Sequence, residues 1–299
     1  MHFDGILLVD KPQGMTSHDV VDVLRKVTGL RRIGHTGTLD PRATGLLVMC
    51  LGQATRLSQY LSGLDKTYEG AMQLGRTTVS HDLDGEVVDE RPIPSGLTLK
   101  DLQDVCDRFT GDIRQVPPMV SAIKIGGKRL YKMARQGQEI ERPARAITVH
   151  SFTVTRWDPP YADLVVSCSS GAYVRTLCND AGQLLGCGAV LSRLRRTRVG
   201  NFDIGEALPL DAFQSPETVE QRMVSMDNAL ELPVVIVDRT QEQTVRTGGT
   251  VSGLAITGVE PGHSGLVQVK NKRGKLIALA LAAPTAAGSR IQPKSVFAP

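Results

Sequence analysis

The chain has 299 residues, 41% of them hydrophobic and 22% charged, which is typical of a folded globular protein and excludes a disordered or fibrous one. Its length predicts about two domains of ordinary size. Because 35 Lys and Arg oppose 31 Asp and Glu, the net charge of +4 is too small to indicate a nucleic-acid partner by itself.

The first predicted elements are a strand and a capped helix. Residues 5–10 form a short apolar run typical of a strand. Thr16 and Asp19 have the spacing of a capping box, and apolar residues then recur at helical spacing from Val20 onward. Gly29 follows the last of these residues, so we predict that the helix ends there.

Another strand and a second capped helix follow along the chain. Residues 68–74 alternate in polarity, which predicts a strand with Tyr68 on its apolar face. Thr98 and Asp101 repeat the capping-box spacing before an apolar helical stripe. Gly111 is the predicted end of that helix.

The remaining elements mix strands and helices without a regular βαβ alternation. Residues 164–168 predict a strand, and residues 174–185 predict a helix. From residue 234 to 297, short β-rich runs lie between glycine turns, with few helix signals. We therefore predict a domain boundary near Leu232 and Pro233, followed by a small β domain.

Basic residues are concentrated in particular parts of the chain. Residues 120–150 contain seven Lys or Arg against two Glu, and residues 268–299 contain six basic residues and no acid. A single basic run is more often a solvated face, but separate runs on a nearly neutral protein favour a surface that follows phosphates.

Cysteine usage and hydropathy limit the compartment. Five cysteines, an odd number with no Cys-x-x-Cys pair, argue against a disulfide framework and a zinc site. The N-terminal run is too short and too acidic for a signal peptide, and no apolar run approaches the roughly 20 residues that span a bilayer. We expect a soluble protein in the reducing cytoplasm, without a membrane partner.

The most informative segment is GHTGTLDPRATG, residues 34–45. It contains three Gly, three Thr and one Pro, so we predict an ordered loop and neither helix nor strand. Pro41 favours an extended backbone at Asp40 and can direct its carboxylate outward. An arbitrary Asp-Pro is more often a helix cap or an Asx turn, but the many polar neighbours in this loop favour a functional site.

Five segments of the chain stand out together: GILLVDKPQGMTSHDV, GHTGTLDPRATGLLVMCLGQATRLSQYL, KTYEG, SAIKIGGKRLYKMARQG and SGAYVRTLCNDAGQLLGCGA. In this order and spacing they resemble the bacterial tRNA pseudouridine-55 synthases of the TruB family. The resemblance covers about the first two thirds of the chain. In its first segment, Lys11 and Pro12 belong to the family's KPxG stretch, a structural turn beside the site.

The resemblance implies an α+β pseudouridine synthase fold, with a mixed, largely antiparallel central sheet and flanking helices. It implies a catalytic domain over residues 1–232, with an RNA-clasping insertion over residues 117–150. The small β-rich domain over residues 233–299 would be a PUA-like RNA-binding domain.

The activity implied by the resemblance is isomerisation of the T-loop uridine at tRNA position 55 to pseudouridine. The N1–C1′ glycosidic bond breaks and a C5–C1′ bond forms on a flipped-out nucleotide. The family uses no metal, nucleotide or redox cofactor. The implied partner is the T-arm of tRNA, and no obligatory protein partner is implied.

The resemblance also assigns the catalytic residues. Asp40 is the catalytic carboxylate, and Arg175 in SGAYVRTL is its ion-pair partner. An Arg in the first turn of a helix needs a neighbouring anion, because the helix dipole disfavours a cation there. Tyr68 matches the family tyrosine that stacks on the target base and has a part in removing the C5 proton. By itself, a Tyr on an apolar strand face is more often a core residue.

The remaining candidates bind substrate in the family. Tyr173 is the aromatic residue beside the active-site arginine, with ordinary packing as the alternative. Leu194 lines the uracil pocket, and a core leucine is a nearly equal alternative. His35 supports the T-loop after bases leave it, and Arg56 replaces a family lysine that contacts phosphate. The residues of the insertion that we expect to contact phosphates are Lys124, Lys128, Arg129 and Lys132.

Two other classes of function remain open at this point. An RNA-binding and RNA-folding module would have the same basic surfaces without needing Asp40, Tyr68 and Arg175 together. A two-carboxylate glycoside hydrolase would need a second carboxylate beside Asp40, and the sequence singles none out.

Overall fold

The computed structural model describes residues 3–121, 123–125, 127–130, 133, 138, 140–254, 262–286 and 288–297. At residues 124, 125, 128, 129 and 254 the description covers the backbone alone. Within these ranges, no helix combines the length and the apolar character that crossing a membrane requires.

The helices and strands follow in chain order. The α-helices are α1 (Ser17–Thr28), α2 (Ser58–Leu61), α3 (Leu99–Asp107), α4 (Val174–Leu184), α5 (Pro216–Gln221) and α6 (Arg239–Arg246). Short 3-10 turns span Gly52–Leu57, Ile204–Glu206, Leu210–Ala212 and Met226–Asn228. The strands up to the insertion are β1 (Gly5–Lys11), β2 (Ile33–His35), β3 (Thr44–Leu51), β4 (Lys66–Leu74), β5 (Arg76–Thr78), β6 (Val87–Glu90) and β7 (Gly111–Gln115). The strands that follow are β8 (Lys124–Ile125), β9 (Lys128–Arg129), β10 (Arg145–Asp158), β11 (Tyr161–Cys168), β12 (Ala189–Val199), β13 (Phe202–Asp203), β14 (Leu208–Pro209), β15 (Val234–Val237), β16 (Val251–Leu254), β17 (Gly265–Asn271), β18 (Leu276–Thr285) and β19 (Gly288–Val296).

The central sheet has the strand order β14-β1-β3-β12-β4-β11-β10-β7, with β2 paired to β3 and β13 to β12. The pairs β1–β14 and β3–β12 are parallel and the other neighbours are antiparallel. The α+β prediction of a mixed, largely antiparallel sheet is therefore confirmed.

Local capping explains where two helices begin. The side chains of Thr16 and Thr98 each accept a hydrogen bond from the backbone amide three residues later. The carboxylates of Asp19 and Asp101 accept from the backbone amides of Thr16 and Thr98, so both predicted capping boxes are present. Gly29 ends α1 in the left-handed conformation, as predicted.

The predicted end of the second capped helix at Gly111 is wrong. Helix α3 ends at Asp107, and Arg108, Phe109 and Thr110 continue the chain in tight turns through hydrogen bonds to residues three positions earlier. Gly111, with φ of 95°, begins β7. A glycine with positive φ can begin a strand as readily as it ends a helix. Here Gly111 begins a strand, because it pairs with β10.

The predicted loop over residues 34–45 is shorter than expected. Gly34 and His35 belong to β2, and β3 begins at Thr44. Backbone pairing explains the difference, since His35 lies opposite Met49. We call the remaining residues 36–43 the catalytic loop, after the role that the resemblance implies for Asp40.

Alternate residues of β1 pack into different cores. Leu7 belongs to a core with Leu24 of α1, whereas Ile6 faces the other side of the sheet. There Ile6 shares a core with Leu279 of the second sheet and with Phe297, which follows the last strand of that sheet. Because this core contains side chains from both sheets, the two sheets are joined by buried apolar contact.

The second sheet has the order β15-β17-β18-β19-β16 and begins at Val234. This agrees with the β-rich character predicted for residues 234–297. Helix α6 was not predicted; Asp238 caps it in a capping box with Gln241. Its weak apolar pattern explains the omission, since Val245 is its buried hydrophobic residue.

Candidate active site

One cavity in the central sheet brings five of the predicted site residues together. It has a volume of about 300 Å³, and Asp40, Tyr68, Tyr173, Arg175 and Leu194 line it. These residues come from the catalytic loop, from β4, from the N-terminal end of α4 and from β12. The sheet therefore assembles, from distant parts of the chain, the set that the resemblance implied.

The catalytic loop is anchored by the end of β1 and the start of α1. Ser17, the first residue of α1, accepts a hydrogen bond from the backbone of Leu39 at 2.9 Å. Lys11 is fully buried, and its ammonium donates to the carbonyls of Pro12, Met15 and Pro41 at 2.8, 2.7 and 3.3 Å. These contacts fix the residues on both sides of Asp40, so the loop is ordered without regular secondary structure.

Asp40 begins a turn in which its carbonyl accepts from the amide of Ala43 at 3.0 Å. Its side chain is half-exposed at the cavity mouth. Burial by the cavity walls raises the pKa of Asp40 above its ordinary value, and the charges of Asp82 and Asp84 raise it further. Arg175 opposes this rise in the pKa of Asp40, so its guanidinium favours the ionised carboxylate.

Arg175 is the charged centre of one side of the cavity. Its side chain is 5% exposed, and it lies 3.5 Å from Asp40 and 3.1 Å from Asp82. It also donates to the carbonyl of Val120 at 2.5 Å and lies over the ring of Tyr173 at 5.7 Å. The arginine that was expected to need one anion thus contacts two.

The start of α4 is positioned by β7. Tyr173 precedes the helix and has no side-chain cap of its own. Gln115 of β7 donates to the Tyr173 carbonyl at 3.1 Å and accepts from its amide at 2.8 Å. This pair fixes the residue before the helix, and so it fixes the direction in which Arg175 leaves the first turn.

Asp82 is a functional candidate that the sequence analysis missed. It lies in the turn between β5 and β6, and Asp84 and Ser80 hydrogen-bond to its carboxylate. The preceding residue, His81, has φ of 63°, a left-handed conformation that is uncommon outside glycine. Its sequence context is the segment SHDLDG, whose Asp, Ser and Gly residues by themselves predict only an ordinary turn.

The floor of the cavity is formed by Tyr68, Lys66 and Arg196, on the neighbouring strands β4 and β12. Burial raises the pKa of Tyr68, and the nearby Arg196 lowers it in part. Burial lowers the pKa of Lys66 to about 8. Its ammonium donates to the carbonyls of Ser62 and Leu64 at 2.7 and 2.6 Å.

Arg196 and Lys66 were also missed as site residues. Arg196 lies two residues after Leu194 on the same strand, and residues two apart share a face of the sheet. This spacing is the sequence signal that could have identified Arg196. Gly45 of β3 lies beside Arg196, with φ of 100°. A Cβ at that glycine would come within 2.3 Å of the Arg196 carbonyl oxygen, so only glycine permits this strand contact.

Two family models match the chain. One described as "TruB family pseudouridylate synthase (N terminal domain)" matches residues 25–174. One described as "tRNA pseudouridylate synthase B C-terminal domain" matches residues 175–232. The chain belongs to the TruB family. The junction of the two matches lies between Val174 and Arg175, inside the cavity wall of this TruB-family protein.

Relatives and solved structures agree with this assignment. The chain is 50% identical to "tRNA pseudouridine synthase B" of Opitutus terrae, over 76% of this chain and 94% of the relative. It is 43% identical to the protein of that name from Moorella thermoacetica, over 95% and 96% of the two chains. A structure titled "Crystal Structure of a Cbf5-Nop10-Gar1 Complex" matches with a TM-score of 0.76 at 28% identity, covering 99% of this chain and 86% of that one. A second, an "H/ACA RNP bound to a substrate RNA containing 2'-deoxyuridine", has a TM-score of 0.74 at 26% identity and covers 99% and 85%.

His35 and Arg56 do not line the cavity of this TruB-family chain. His35 is half-buried at the end of β2, beside the catalytic loop, and burial lowers its pKa. The guanidinium of Arg56 contacts the carbonyl of Val296, at the junction with the second sheet. Within the described residues, no group of three His, Cys, Asp or Glu is arranged to hold a metal ion.

The basic residues predicted for the insertion are described in part. The backbones of Lys124, Lys128 and Arg129 lie in the hairpin formed by β8 and β9. Lys132 lies outside the described residues. Their contact with phosphates stays a prediction.

Proposed function

We propose that this chain converts the T-loop uridine at tRNA position 55 to pseudouridine on a flipped-out nucleotide, with Asp40 as the catalytic carboxylate. The observation that carries the proposal is the meeting of Asp40, Tyr68 and Arg175 around one cavity. Relatives named tRNA pseudouridine synthase B support the choice of substrate. A module that only folds RNA would need a basic surface but not this constellation.

The proposed reaction moves a bond within one nucleotide. The N1–C1′ bond breaks, the base turns, and C5 bonds to C1′, while C5 loses a hydrogen and N1 gains one. Asp40 acts near C1′ and must be ionised to do so. Arg175, 3.5 Å from Asp40, favours that ionised form against the effect of burial.

The base is held by the other side of the cavity. The ring of Tyr68 stacks on the uracil, and Leu194 supplies an apolar contact to its edge. A cavity of about 300 Å³ has room for one flipped base.

The rest of the tRNA is held outside the cavity. A uridine stacked in a folded T-loop cannot reach Asp40, so the nucleotide must be extruded, and His35 is our candidate for bracing the vacated loop. Phosphate contacts are assigned to Arg56 and to the insertion within residues 117–150. We assign residues 1–232 to catalysis and residues 233–299 to a PUA-like RNA-binding domain. The cytoplasm, where tRNA is processed, is the proposed compartment.

The direct test uses an unmodified tRNA transcript without added metal or nucleotide. The purified protein is incubated with it, and pseudouridine is mapped along the RNA. We expect conversion at position 55 and at no other uridine of the T-arm. A transcript with cytidine at that position is the control. A tRNA that binds with unchanged uridine would leave the RNA-folding function as the better account.

The phosphate contacts of the insertion have a separate test. Lys124→Gln with Lys128→Gln should lower the slope of log affinity against log salt by roughly one to two, because each lost contact releases about one counterion less. Lys100→Gln, on α3, is the control and should leave the slope unchanged. An unchanged slope in the double variant would assign this part of the insertion to a solvated face.

A further inference from the structure

The cavity floor contains an arginine that the reaction described above does not use. Arg196 lies directly opposite Tyr68 in the β12–β4 pairing, so both side chains leave the sheet on the same face. Arg196 is 1% exposed and lines the cavity. Its Nε donates to the Leu46 carbonyl at 2.8 Å and its Nη2 to the Gly37 carbonyl at 3.1 Å. Burial raises the pKa of Tyr68, and the neighbouring guanidinium of Arg196 opposes that shift.

The charge of Arg196 is not balanced by a carboxylate. Within the described residues, no Asp or Glu forms an ion pair with it, whereas Arg175 contacts two carboxylates in the same cavity. Burial lowers the pKa of Lys11 and of Lys66 to about 8; the charge of Arg196 adds to the lowering, while Asp40 opposes it at Lys11. A buried cation without an anion is costly, and such a cation can stabilise negative charge that forms beside it during a reaction.

The proton balance of the reaction identifies where such charge can form. When the N1–C1′ bond breaks, its electron pair leaves with the base, and the detached uracil is an anion. Burial keeps Tyr68 as a neutral phenol at rest, and a neutral phenol must release its own proton before it can accept another. The uracil anion can take that proton at N1. C5 then bonds to C1′ with the electron pair of the C5–C6 double bond, which leaves C6 electron-deficient. The phenolate takes the proton from C5, and the C5–H electron pair restores the C5–C6 double bond.

We propose that Arg196 is the positioning residue of Tyr68, which orients the phenol oxygen and supplies the counter-charge of the phenolate while a proton passes from C5 to N1. The proposal rests on the function proposed above. It gives Arg175 and Arg196 separate tasks: Arg175 orients Asp40 at the sugar, and Arg196 acts through Tyr68 at the base.

The test measures single-turnover rates at saturating tRNA transcript that carries either uridine or 5-deuterouridine at position 55. Arg196→Lys keeps the charge but loses the planar fork, and Arg196→Gln keeps a donor without the charge. We expect the rate to fall in the order wild type, Lys, Gln, by roughly tenfold or more for Gln. The deuterium isotope effect should rise in the same order, because loss of the C5 proton becomes slower. Thermal unfolding of each variant verifies that it is folded.

The matched control is the neighbouring residue of the same strand. Arg195 belongs to the opposite face of β12 and pairs with Asp10 at 3.0 and 2.7 Å. Arg195→Lys and Arg195→Gln should keep both the single-turnover rate and the isotope effect within about twofold of wild type.

The outcomes separate the two proposals. A slower Arg196→Gln with an unchanged isotope effect would mean that Arg196 acts through Gly37 and Leu46 on the catalytic loop, and would overturn its assignment to Tyr68. A normal rate in Arg196→Gln would also overturn the assignment of Arg196 to Tyr68. Tyr68→Phe is independent of the folding of the Arg196 variants: it should also raise the isotope effect, and an unchanged value would remove the step that Arg196 is proposed to serve. Wild-type protein that forms no pseudouridine would contradict the proposed function instead.

Discussion

The two sides of the cavity hold buried arginines in opposite electrostatic settings. On the side of α4, Arg175 contacts the carboxylates of Asp40 and Asp82. On the floor, Arg196 has no carboxylate partner among the residues the structure describes and lies beside Lys66. The first setting orients an anion that exists before the reaction, and the second accommodates one that forms during it. Both follow from one rule, that a buried charge is retained where another charge is present or will appear.

Removing the resting anion is expected to have the largest effect. Asp40→Asn keeps the shape of the side chain and removes its charge, so pseudouridine formation should fall by roughly 10³-fold or more. The affinity for tRNA should change little, because Asp40 acts on the extruded nucleotide. Single-turnover kinetics and filter binding measure the two quantities, with Asp89→Asn on β6, whose carboxylate pairs with Arg91, as control. An Asn variant with near-normal turnover would end the assignment of Asp40.

A change at the paired arginine should be smaller. Arg175→Lys keeps the charge but loses the planar fork, in which Nη1 faces Asp82 while Nη2 faces Asp40 and the Val120 carbonyl. The chemical step should therefore slow by roughly 10- to 100-fold. The C5 isotope effect should stay at its wild-type value, in contrast to Arg196→Lys. Equal isotope effects in these two lysine variants would remove the distinction between the two sides.

The unbalanced charge of the floor should be visible in stability. Burial lowers the pKa of Lys66 from 10.5 to about 8, so the folded state disfavours its charged form. Below pH 8 the folded wild type carries the full free-energy cost of burying the charged Lys66 ammonium. Between pH 8 and 10.5 the unfolded chain still binds this proton and the folded protein does not, so the free energy of unfolding rises with pH. Urea unfolding should therefore show wild type gaining stability relative to Lys66→Met across that interval.

The control for this measurement is Lys100→Met. Lys100 is exposed on α3 and pairs with Asp104, so wild type should gain nothing relative to that variant as pH rises. A Lys66→Met difference that is flat with pH would contradict a costly charge on the floor.

The smallest expected effect concerns the charges around Asp40. Asp84 raises the pKa of Asp40 by repulsion, while its own carboxylate is paired with Arg42. Asp84→Asn should favour the ionised form of Asp40, so the acidic limb of the pH–rate profile should move to lower pH, by less than about one unit. Asp89→Asn on the same hairpin should not move it. A shift to higher pH would mean that the limb reports another group.

The elements that could be predicted depend on nearby residues. Both capping boxes and the left-handed end of α1 use hydrogen bonds between residues three or four positions apart, which the order of residue types shows directly. The end of α3 could not be predicted in this way, because pairing of β7 with β10 competed with helix extension. The strands that flank the catalytic loop were missed for the same reason.

The candidate site divides along the same line. Residue types and spacing were enough to single out Asp40 in its loop and, by resemblance to a family, Tyr68 and Arg175. Asp82 was missed because its partner Arg175 is 93 positions away, and its own turn looks ordinary. Arg196 was missed because an arginine in a basic run is usually solvated, and only the sheet turns this one inward.

The sequence by itself determined the local structures, the loop that carries Asp40 and the family to which the chain belongs, because these depend on neighbours along the chain or on a long ordered match. Tertiary structure alone decided which charges are buried together. Burial removes water, and without water an ammonium, a guanidinium or a carboxylate responds to every charge within a few ångströms, whatever its distance along the chain. Arg175 meets its two carboxylates, and Tyr68 lies opposite Arg196, only once β4, β12 and α4 have come together.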